Sequence, residues 1–478
     1  MLTAGDADAS VAEIVTDSRV VQPGDLFVAL EGPRFDAHEF VGEVLAKGAA
    51  AIVHRGFAAE AGAGLPGHPD EVGTGAAESV GAGLQTRARA EGPVNALIEV
   101  SDTLQALQDL AHAIRQATKT RLVAITGSAG KTTTKETIAA FLGTRLRVVK
   151  NKGNLNNHVG LPLSLMQLRT EPDVAVMELG MNHAGEISTL VAIAEPDVRV
   201  WTNVGDAHIG FFASPDAIAD AKAEILEGAG AGDVLVCNAD DARVMARASR
   251  FAGRVVTFGS APAATVRARE IEDLGVGGMR ARIATPAGER LITTPLLGRG
   301  NLSNVLAATA VALEFGVGLD HIADAAARLQ PADRRGTVRR LRGGVTLIDD
   351  SYNSSPSALK RSLEVLGHQR AGGRHVAVLG EMLELGGHAR ALHEECGRAA
   401  VAAGVDLLFV VGGDAARALA NAADAAGMPR TAVRYFETSA AAAAAVGDAL
   451  TDGDVVLVKG SRGIRMDVVA DRIVAERG

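Results

Sequence analysis

The residues best suited to chemistry lie in one short stretch, in which an apolar run is followed by Gly-Ser-Ala-Gly-Lys-Thr-Thr. Glycines let backbone N–H groups turn towards phosphate oxygens, and a helix expected from about Thr132 to Leu142 adds the positive end of its dipole. The lysine can neutralise terminal phosphates, and the first threonine can ligate Mg²⁺. The stretch predicts a nucleoside triphosphate site formed by Gly127, Ser128, Ala129, Gly130, Lys131, Thr132 and Thr133.

The spacing of this loop departs from the commonest phosphate-binding pattern. The pattern G-x-x-x-x-G-K-[ST] needs glycine where this chain has Ile125, so the match is to a shorter G-x-x-G-K-T form. The alternative is a glycine-rich turn that binds nothing. Because strand, loop, Lys-Thr pair and helix arrive in the expected sequence, the phosphate site is the favoured interpretation.

Three side chains further along the chain are candidate metal ligands. Glu178 ends the apolar run that begins at Val174, and His208 follows the next such run, so both are expected at the carboxyl edge of a parallel sheet. Lys222 lies in a helical segment. Taken singly, these are typical of a rim carboxylate, a loop histidine and a surface charge. Beside a triphosphate site they predict ligands for divalent cations, and two Mg²⁺ ions are expected.

A loop rich in asparagine follows the phosphate loop, between Asn151 and Pro162. Asn156 and Asn157 belong to it. Side-chain amides supply both donors and acceptors, so this loop is either a substrate-binding loop or a hydrogen-bonded turn cluster. The sequence favours neither interpretation.

The composition limits the possible partners. Aromatic residues make up only 3% of the 478 residues and the formal net charge is −9, which argues against nucleic acid as a partner. The chain shows no secretory signal and no apolar run long enough to span a bilayer, and its two cysteines form no disulfide framework. We therefore expect a cytoplasmic protein without membrane insertion, and we expect a monomer.

The chain is long enough for three domains of ordinary size. Predicted boundaries give an N-terminal domain at 1–102, a central domain at 103–330 and a C-terminal domain at 331–478. Residues 58–93, rich in Ala, Gly and Pro, are interpreted as an insertion in the first domain. The central segment alternates apolar runs with helical patterns, which predicts an α/β fold with a doubly wound parallel sheet, and the last segment predicts a Rossmann-like domain.

Motifs spread over nearly the whole chain resemble those of the Mur ligases. The phosphate loop, Glu178, His208 and Lys222 carry the resemblance, together with five further motifs. These are Thr16-Asp-Ser-Arg19, Asn154 to Pro162, Asp349-Asp-Ser-Tyr-Asn353, Leu379-Gly-Glu-Met382 with Glu384-Leu-Gly386, and Val458-Lys-Gly-Ser-Arg462.

The resemblance implies roles for individual residues. The N-terminal domain would bind a uridine nucleotide, the phosphate loop would bind ATP and Mg²⁺ with Glu178 on the metal, and His208 would hold a second Mg²⁺ with Lys222. Lys222 would act as a carbamate formed with CO₂, which turns a cation into an anionic ligand. Lys131, Lys222 and His208 are the implied catalytic residues. Uridine-substrate contacts would come from Ser18, Asp36 and His38, and ATP contacts from Asn301, Asn304, Arg335 and Asp350.

Within the family, the motifs are most similar to those of the ligase that joins D-alanyl-D-alanine to UDP-N-acetylmuramoyl-tripeptide for peptidoglycan synthesis. This implies ATP-dependent formation of an acyl phosphate and its attack by the dipeptide amine, with the loop Asp349 to Pro356 near the dipeptide. The diamino-acid-adding ligase typically carries Tyr-Ala-His and Asp-Asn-Pro-Arg motifs, which are absent here. Thr16 to Arg19 argues against a folate polyglutamate ligase.

A non-catalytic nucleotide switch is the alternative from another class. Gly300 stands where the family usually carries His, which is the departure that keeps this alternative open. A switch needs only the phosphate loop and one Mg²⁺, whereas Glu178, His208 and Lys222 together favour chemistry.

Overall fold

The computed structural model describes residues 2–5, 10–32, 35–57, 96–369 and 372–478, and the predicted insertion at 58–93 lies outside this range. The fold is mixed α/β, as predicted. Residues 1–122, 149–177 and 192–195 form one compact unit, and residues 123–148, 178–191 and 196–478 form a second. The division at 102/103 and 330/331 stays a prediction.

The described residues contain strands and helices in regular alternation over most of the chain. The strands are β1 (Leu2–Ala4), β2 (Ile14–Val15), β3 (Leu26–Val28), β4 (Glu31–Gly32), β5 (Phe35–Asp36), β6 (Ala50–His54), β7 (Leu97–Val100), β8 (Arg121–Thr126), β9 (Val148–Lys150), β10 (Val174–Glu178), β11 (Val198–Trp201), β12 (Val234–Asn238), β13 (Arg254–Gly259), β14 (Val266–Asp273), β15 (Met279–Thr285), β16 (Gly288–Thr294), β17 (Thr337–Arg340), β18 (Thr346–Asp350), β19 (His375–Gly380), β20 (Leu407–Val411), β21 (Val433–Phe436) and β22 (Val455–Lys459).

The helices are named in the same way. They are α1 (Val41–Ala46), α2 (Thr103–Ala117), α3 (Lys131–Leu142), α4 (Gly160–Leu165), α5 (Glu186–Ala194), α6 (Pro215–Ala223), α7 (Ala242–Ala248), α8 (Gly298–Glu314), α9 (Leu319–Ala326), α10 (Pro356–Gly367), α11 (Ala389–Ala402), α12 (Asp414–Ala425), α13 (Ser439–Ala449) and α14 (Asp467–Arg477). Among the residues that the structure describes, none of these helices combines the length and hydrophobicity needed to span a bilayer.

The first unit contains a five-stranded sheet in the order β1-β7-β6-β3-β2. Strand β1 pairs antiparallel with β7, and the remaining neighbours are parallel. Alternate residues of β3 and β6, including Phe27 and Ala51, pack with Val41 and Val44 of α1 in one buried cluster. The core of this unit therefore lies between one face of the sheet and α1.

Helix α2 follows this sheet along the chain. The carboxylate of Asp102 accepts a hydrogen bond from the N–H of Gln105 and so caps the first turn. Leu107, Ala111 and Ile114 recur at helical spacing and are buried.

The central sheet has nine strands in the order β16-β15-β14-β13-β12-β11-β8-β10-β9. Strands β8, β11, β12 and β13 pair in parallel, as the alternating apolar runs predict. At one edge of the sheet β14, β15 and β16 form an antiparallel meander that was not predicted. These strands alternate buried and exposed residues, because one face of an edge meander stays open to solvent.

The C-terminal part of the second unit has a six-stranded sheet in the order β17-β18-β22-β19-β20-β21. Only β17 is antiparallel to its neighbour, and the parallel strands alternate with α10 to α14 in the predicted manner. Phe409, Val456 and Val458 pack with Val446 of α13 and Ile473 of α14 in one buried cluster. The parallel strands end at one edge of this sheet, where the loops discussed below begin.

A buried ion pair joins two strands of the central sheet. The guanidinium of Arg199, on β11, donates to Asp233 Oδ2 at 2.7 Å and to the carbonyl of Pro196 at 2.7 Å. The Arg199 side chain is only 2% exposed. Removing its carboxylate partner leaves a buried charge without a counter-ion, which is far costlier than losing an exposed pair.

We expect Asp233→Ala to lower the free energy of unfolding by about 3–5 kcal/mol. The matched control is Glu272→Ala, which breaks the exposed pair between Arg280 and Glu272 on β14 and β15. This control is expected to cost at most about 1 kcal/mol. Urea unfolding followed by far-UV circular dichroism measures both, and equal losses would contradict the argument.

Candidate active site

The phosphate loop connects β8 to α3, as predicted. Gly127 has φ of 147° and Gly130 has φ of 84°, both in a region that side chains with Cβ rarely adopt. A Cβ at Gly127 would lie 1.9 Å from Thr202 Oγ1, and one at Gly130 would lie 2.4 Å from Asn304 Oδ1. No side chain of the described residues caps the start of α3. The backbone donors at this helix start are thus suited to an anionic ligand.

The loop is held in place by the residues that follow β11. Asn203 Oδ1 accepts from the N–H of Ala129 at 2.9 Å, and Asn203 Nδ2 donates to the carbonyl of Ala129 at 2.9 Å. Thr202 Oγ1 donates to the same carbonyl at 2.8 Å. The sequence analysis did not select Thr202 or Asn203, although their place directly after a buried strand was a usable signal.

Thr132 and Glu178 meet beside the loop. Thr132 Oγ1 donates to Glu178 Oε2 at 2.8 Å, and Glu178, at the end of β10, is 4% exposed. Lys131 Nζ donates to the carbonyl of Gly127 at 2.7 Å. Burial lowers the pKa of Lys131, the charge of Glu178 raises it, and the charge of Arg335 lowers it further. Lys131 therefore has a carboxylate and a second cation in its surroundings.

The charge of Lys131 also acts on two further side chains, those of His208 and Lys222. Lys222, on α6, is 1% exposed, and burial followed by the charge of Lys131 lowers its pKa well below the ordinary value. Burial and then the charge of Lys131 also lower the pKa of His208. The structure thus brings Lys131, His208 and Lys222 together, and the charge of Lys131 disfavours a positive charge on the other two.

The candidate metal ligands are too few to form a complete coordination sphere by themselves. In the described ranges, no three His, Cys, Asp or Glu side chains cluster as a metal site would require. The structure provides the hydroxyl of Thr132 next to the carboxylate of Glu178, and the imidazole of His208 near Lys222. Mg²⁺ usually keeps waters and takes few protein ligands beside nucleotide phosphates, so such sparse sets fit it.

His208 also contacts the C-terminal segment. Its Nδ1 lies 2.6 Å from Glu384 Oε2, and the N–H of Gly210 donates to the carbonyl of Glu384 at 2.9 Å. The two backbones approach so closely that a Cβ at Gly210 would lie 2.6 Å from the N of Gly386. In the sequence analysis Glu384 was only part of a motif that carried the resemblance. Its contact with His208 spans 176 residues and has no local signature.

The residues predicted to contact ATP outside the phosphate loop lie in two places. Asn304, buried on α8, abuts Gly130 and donates from Nδ2 to Asn301 Oδ1 at 3.1 Å. Asp350 ends β18, and its Oδ2 accepts from Lys459 Nζ at 2.6 Å and from Ser362 Oγ at 2.8 Å. Asn304 is thus beside the phosphate loop, whereas Asp350 belongs to a hydrogen-bonded cluster of the C-terminal sheet.

The predicted uridine residues lie in the first unit. Asp36 Oδ1 accepts from the N–H of His38 at 2.9 Å and lies 2.6 Å from His38 Nδ1. His38 Nε2 accepts in turn from the N–H of His54 at 3.0 Å. The carbonyl of Ser18 accepts from Lys47 Nζ at 3.0 Å. The backbone N–H of His38 is the largest of the interactions that lower the pKa of Asp36, so this carboxylate is a stable anion.

Of the two predicted asparagines, Asn157 has a clear structural task. Its Oδ1 accepts from the N–H groups of Gly160 at 2.8 Å and Val159 at 3.3 Å, at the start of α4. This is the hydrogen-bonded turn that the sequence analysis kept as one alternative. Asn156 is half-buried beside it. Their assignment to substrate remains a prediction.

Two family models match this chain. The Mur ligase middle domain matches residues 125–312, and the glutamate ligase domain of Mur ligases matches residues 334–462. The UDP-N-acetylmuramoyl-tripeptide–D-alanyl-D-alanine ligase of Bacillus subtilis is 31% identical over 96% of this chain and 93% of its own length. The chain belongs to the Mur ligase family. The resemblance stated from the motifs is thereby confirmed.

Solved structures agree with this assignment. A MurF structure from Acinetobacter baumannii has a TM-score of 0.81 with 31% identity, covering 97% of this chain and 94% of that one. A MurF ligase from Thermotoga maritima, solved in complex with ADP, has a TM-score of 0.81 with 28% identity and covers 98% and 99%. Membership of the family implies the use of ATP by this chain.

We expect Gly130→Ala to weaken ADP binding at least about tenfold, because a Cβ at φ of 84° is strained and meets the side chain of Asn304. The control is Gly316→Ala, where φ is 73° but a Cβ would meet nothing within 4 Å. That variant should lose about 1–2 kcal/mol of stability and keep its ADP affinity. Isothermal titration calorimetry with ADP and Mg²⁺ measures both, and unchanged binding by Gly130→Ala would exclude the loop as the phosphate site.

Proposed function

We propose that this chain is the ATP-dependent ligase that joins D-alanyl-D-alanine to UDP-N-acetylmuramoyl-tripeptide and releases ADP and phosphate. The observation that carries the proposal is the phosphate loop with Lys131, set beside the Thr132–Glu178 pair and the buried Lys222. Full-length similarity to ligases of that name supports the choice of substrates. Such a ligase acts where ATP and nucleotide-linked precursors are made, so the cytoplasm is its proposed location.

The reaction has two steps. A carboxylate is a poor electrophile, so the tripeptide carboxylate oxygen first attacks the γ-phosphorus of ATP, and ADP leaves. The amine of the dipeptide then attacks the acyl phosphate carbon, phosphate leaves, and the amine loses its proton as the amide forms. Lys131 and the backbone N–H groups of the loop offset the negative charge that accumulates on the phosphates. Asn203 and Thr202 hold the loop in position by binding the N–H and the carbonyl of Ala129.

Two Mg²⁺ ions fit the side chains present. Thr132 and Glu178 would hold the first, and His208 and Lys222 the second, with nucleotide oxygens and water completing each set. When bound, they supply positive charge to the phosphates and the developing tetrahedral centre. The fit depends on the form of Lys222, because an ammonium group repels a cation.

Lys222 meets the chemical requirement for a carbamate. The neutral amine attacks the carbon of CO₂, a C–N bond forms, and one proton is released. Burial and the charge of Lys131 lower the pKa of Lys222, so the neutral amine persists at lower pH than for an exposed lysine. The carbamate replaces a buried cation with an anion beside Lys131, which also relieves the repulsion between the two lysines.

Binding of the other substrate parts follows the family assignment. We propose that Ser18, Asp36 and His38 contact the uridine nucleotide, that Asn301 and Asn304 approach the adenine, and that Arg335 and Asp350 act on the nucleotide from the C-terminal segment. Arg335 has the clearest support, since its charge lowers the pKa of Lys131. We propose that the ligase acts as a monomer.

The substrate assignment is tested by mass detection of the UDP-N-acetylmuramoyl-pentapeptide. Phosphate release from ATP should require both the UDP-tripeptide and D-alanyl-D-alanine. Equal release with either substrate omitted would indicate a nucleotide-driven switch. Product formation with a diamino acid and the shorter UDP-dipeptide would indicate the diamino-acid-adding activity instead.

We expect Lys222→Ala to reduce turnover about 100-fold or more while the fold is retained. With ¹³C-labelled bicarbonate, the wild-type protein should show a carbamate resonance in ¹³C NMR that the variant lacks. The control is Lys119→Ala, which removes an exposed lysine and should keep both the resonance and the activity. Because only the neutral amine reacts, the resonance should persist on acidification until the lowered pKa of Lys222 is passed. Near wild-type turnover by Lys222→Ala would eliminate the carbamate.

A further inference from the structure

We propose that Arg462 binds the terminal carboxylate of the incoming dipeptide. The inference rests on the proposed function and adds a subsite for its second substrate. It concerns a residue that directly follows the central strand β22 of the C-terminal sheet, in the segment Lys459-Gly-Ser-Arg462.

The backbone that carries Arg462 is held by hydrogen bonds to neighbouring segments. Buried Ser461 accepts from the N–H of Leu383 at 2.9 Å, and its own N–H donates to the carbonyl of Glu381 at 3.2 Å. At the end of β22, Lys459 Nζ donates to Asp350 Oδ2 at 2.6 Å. These bonds tie the loop to β18 and to the loop after β19. Arg462 itself is exposed.

The guanidinium of Arg462 has neither a hydrogen-bonding partner nor an ion-pair partner within the part of the chain that the structure describes. Two other arginines near the same sheet are paired with carboxylates. Arg374 pairs with Asp454 at 2.8 Å, and Arg334 pairs with Asp471 at 3.1 Å. An unpaired guanidinium beside an active site is a ready donor pair for an anion, and a carboxylate matches its geometry in a bidentate manner.

Tyr352 lies close to two guanidiniums, those of Arg335 and Arg462. The Cζ of Arg335 lies 4.1 Å from the centre of the Tyr352 ring, and the Cζ of Arg462 lies 5.7 Å from the same centre. The charge of Arg335 reaches Lys131 of the phosphate loop. One aromatic ring therefore positions two guanidiniums, of which Arg335 is the one whose charge acts on the phosphate site.

The dipeptide is long enough that its carboxylate lies away from the phosphates and needs a cation other than those that bind them. The dipeptide amine must reach the acyl phosphate, and two extended residues span about 7 Å, so the carboxylate lies well away from that centre. Arg335 and Lys131 are needed for the phosphates. The neighbouring carboxylates are already engaged, since Glu384 contacts His208 and Glu381 accepts from the N–H of Gly413. These carboxylates therefore do not occupy Arg462, and its guanidinium can bind the carboxylate of the dipeptide.

The test compares D-alanyl-D-alanine with D-alanyl-D-alaninamide, which lacks the negative charge. The wild-type enzyme should show a KM for the amide about 10–100-fold above that for the dipeptide, as expected for a lost charged hydrogen-bonded pair. Arg462→Gln should raise the KM for the dipeptide by a similar factor and abolish the preference over the amide. The KM values for ATP and the UDP-tripeptide should stay near those of the wild type.

Two further variants make the test specific. Arg465→Gln removes an exposed arginine three residues away and should keep the preference for the carboxylate. Arg462→Lys keeps the charge without the bidentate fork and should give an intermediate preference. Thermal melting of all variants confirms that they fold.

Three outcomes would count against these claims in different ways. A retained preference in Arg462→Gln would overturn the carboxylate subsite while leaving the proposed function intact. A raised KM for ATP or the UDP-tripeptide, with the dipeptide unaffected, would assign Arg462 to that substrate and also overturn it. Failure of the wild-type enzyme to form the pentapeptide would remove the proposed function and the inference with it.

Discussion

The electrostatic coupling of Lys131, His208 and Lys222 is the constraint on which the active site depends. The charge of Lys131 lowers the pKa of His208 and of Lys222, the charge of Lys222 also lowers that of His208, and burial lowers the pKa of all three. Glu178 offsets part of this at Lys131 and Glu384 part of it at His208. Because Glu178 and Glu384 offset only part of this positive charge, the site favours the binding of an anionic ligand such as a triphosphate.

The phosphate loop and the residues that support it lie at the carboxyl ends of strands for a topological reason. Strands β8, β11 and β12 are parallel neighbours, so the loops that follow them meet at one edge of the sheet. The phosphate loop follows β8, and Thr202 and Asn203 follow β11. Asn238, at the end of β12, donates to the carbonyl of Thr202 at 2.9 Å and supports the second loop in turn. The phosphate loop is therefore held by Thr202 and Asn203, and Asn238 in turn holds Thr202.

The sequence was sufficient wherever the signal was local. Strand β10 has the bounds of the apolar run from Val174 to Glu178, because short buried runs between loops are characteristic of parallel strands. The antiparallel meander was missed, since its exposed face gives an alternating pattern that carries no information about the direction of pairing. The phosphate loop was found because its residue types are contiguous. By contrast, the contact between His208 and Glu384 depends on tertiary packing, which no spacing along the chain encodes.

The same contact explains why the active site extends beyond the central sheet. Glu384 adopts φ of 64°, a strained conformation for a residue other than glycine, and its carbonyl accepts from Gly210 while its carboxylate meets His208. Such strain persists only where surrounding contacts determine it, and here the close approach of Gly210 and Gly386 does so. A carboxylate on one imidazole nitrogen fixes the tautomer and the orientation of the ring. The orientation of His208 is therefore set by Glu384 of the C-terminal segment.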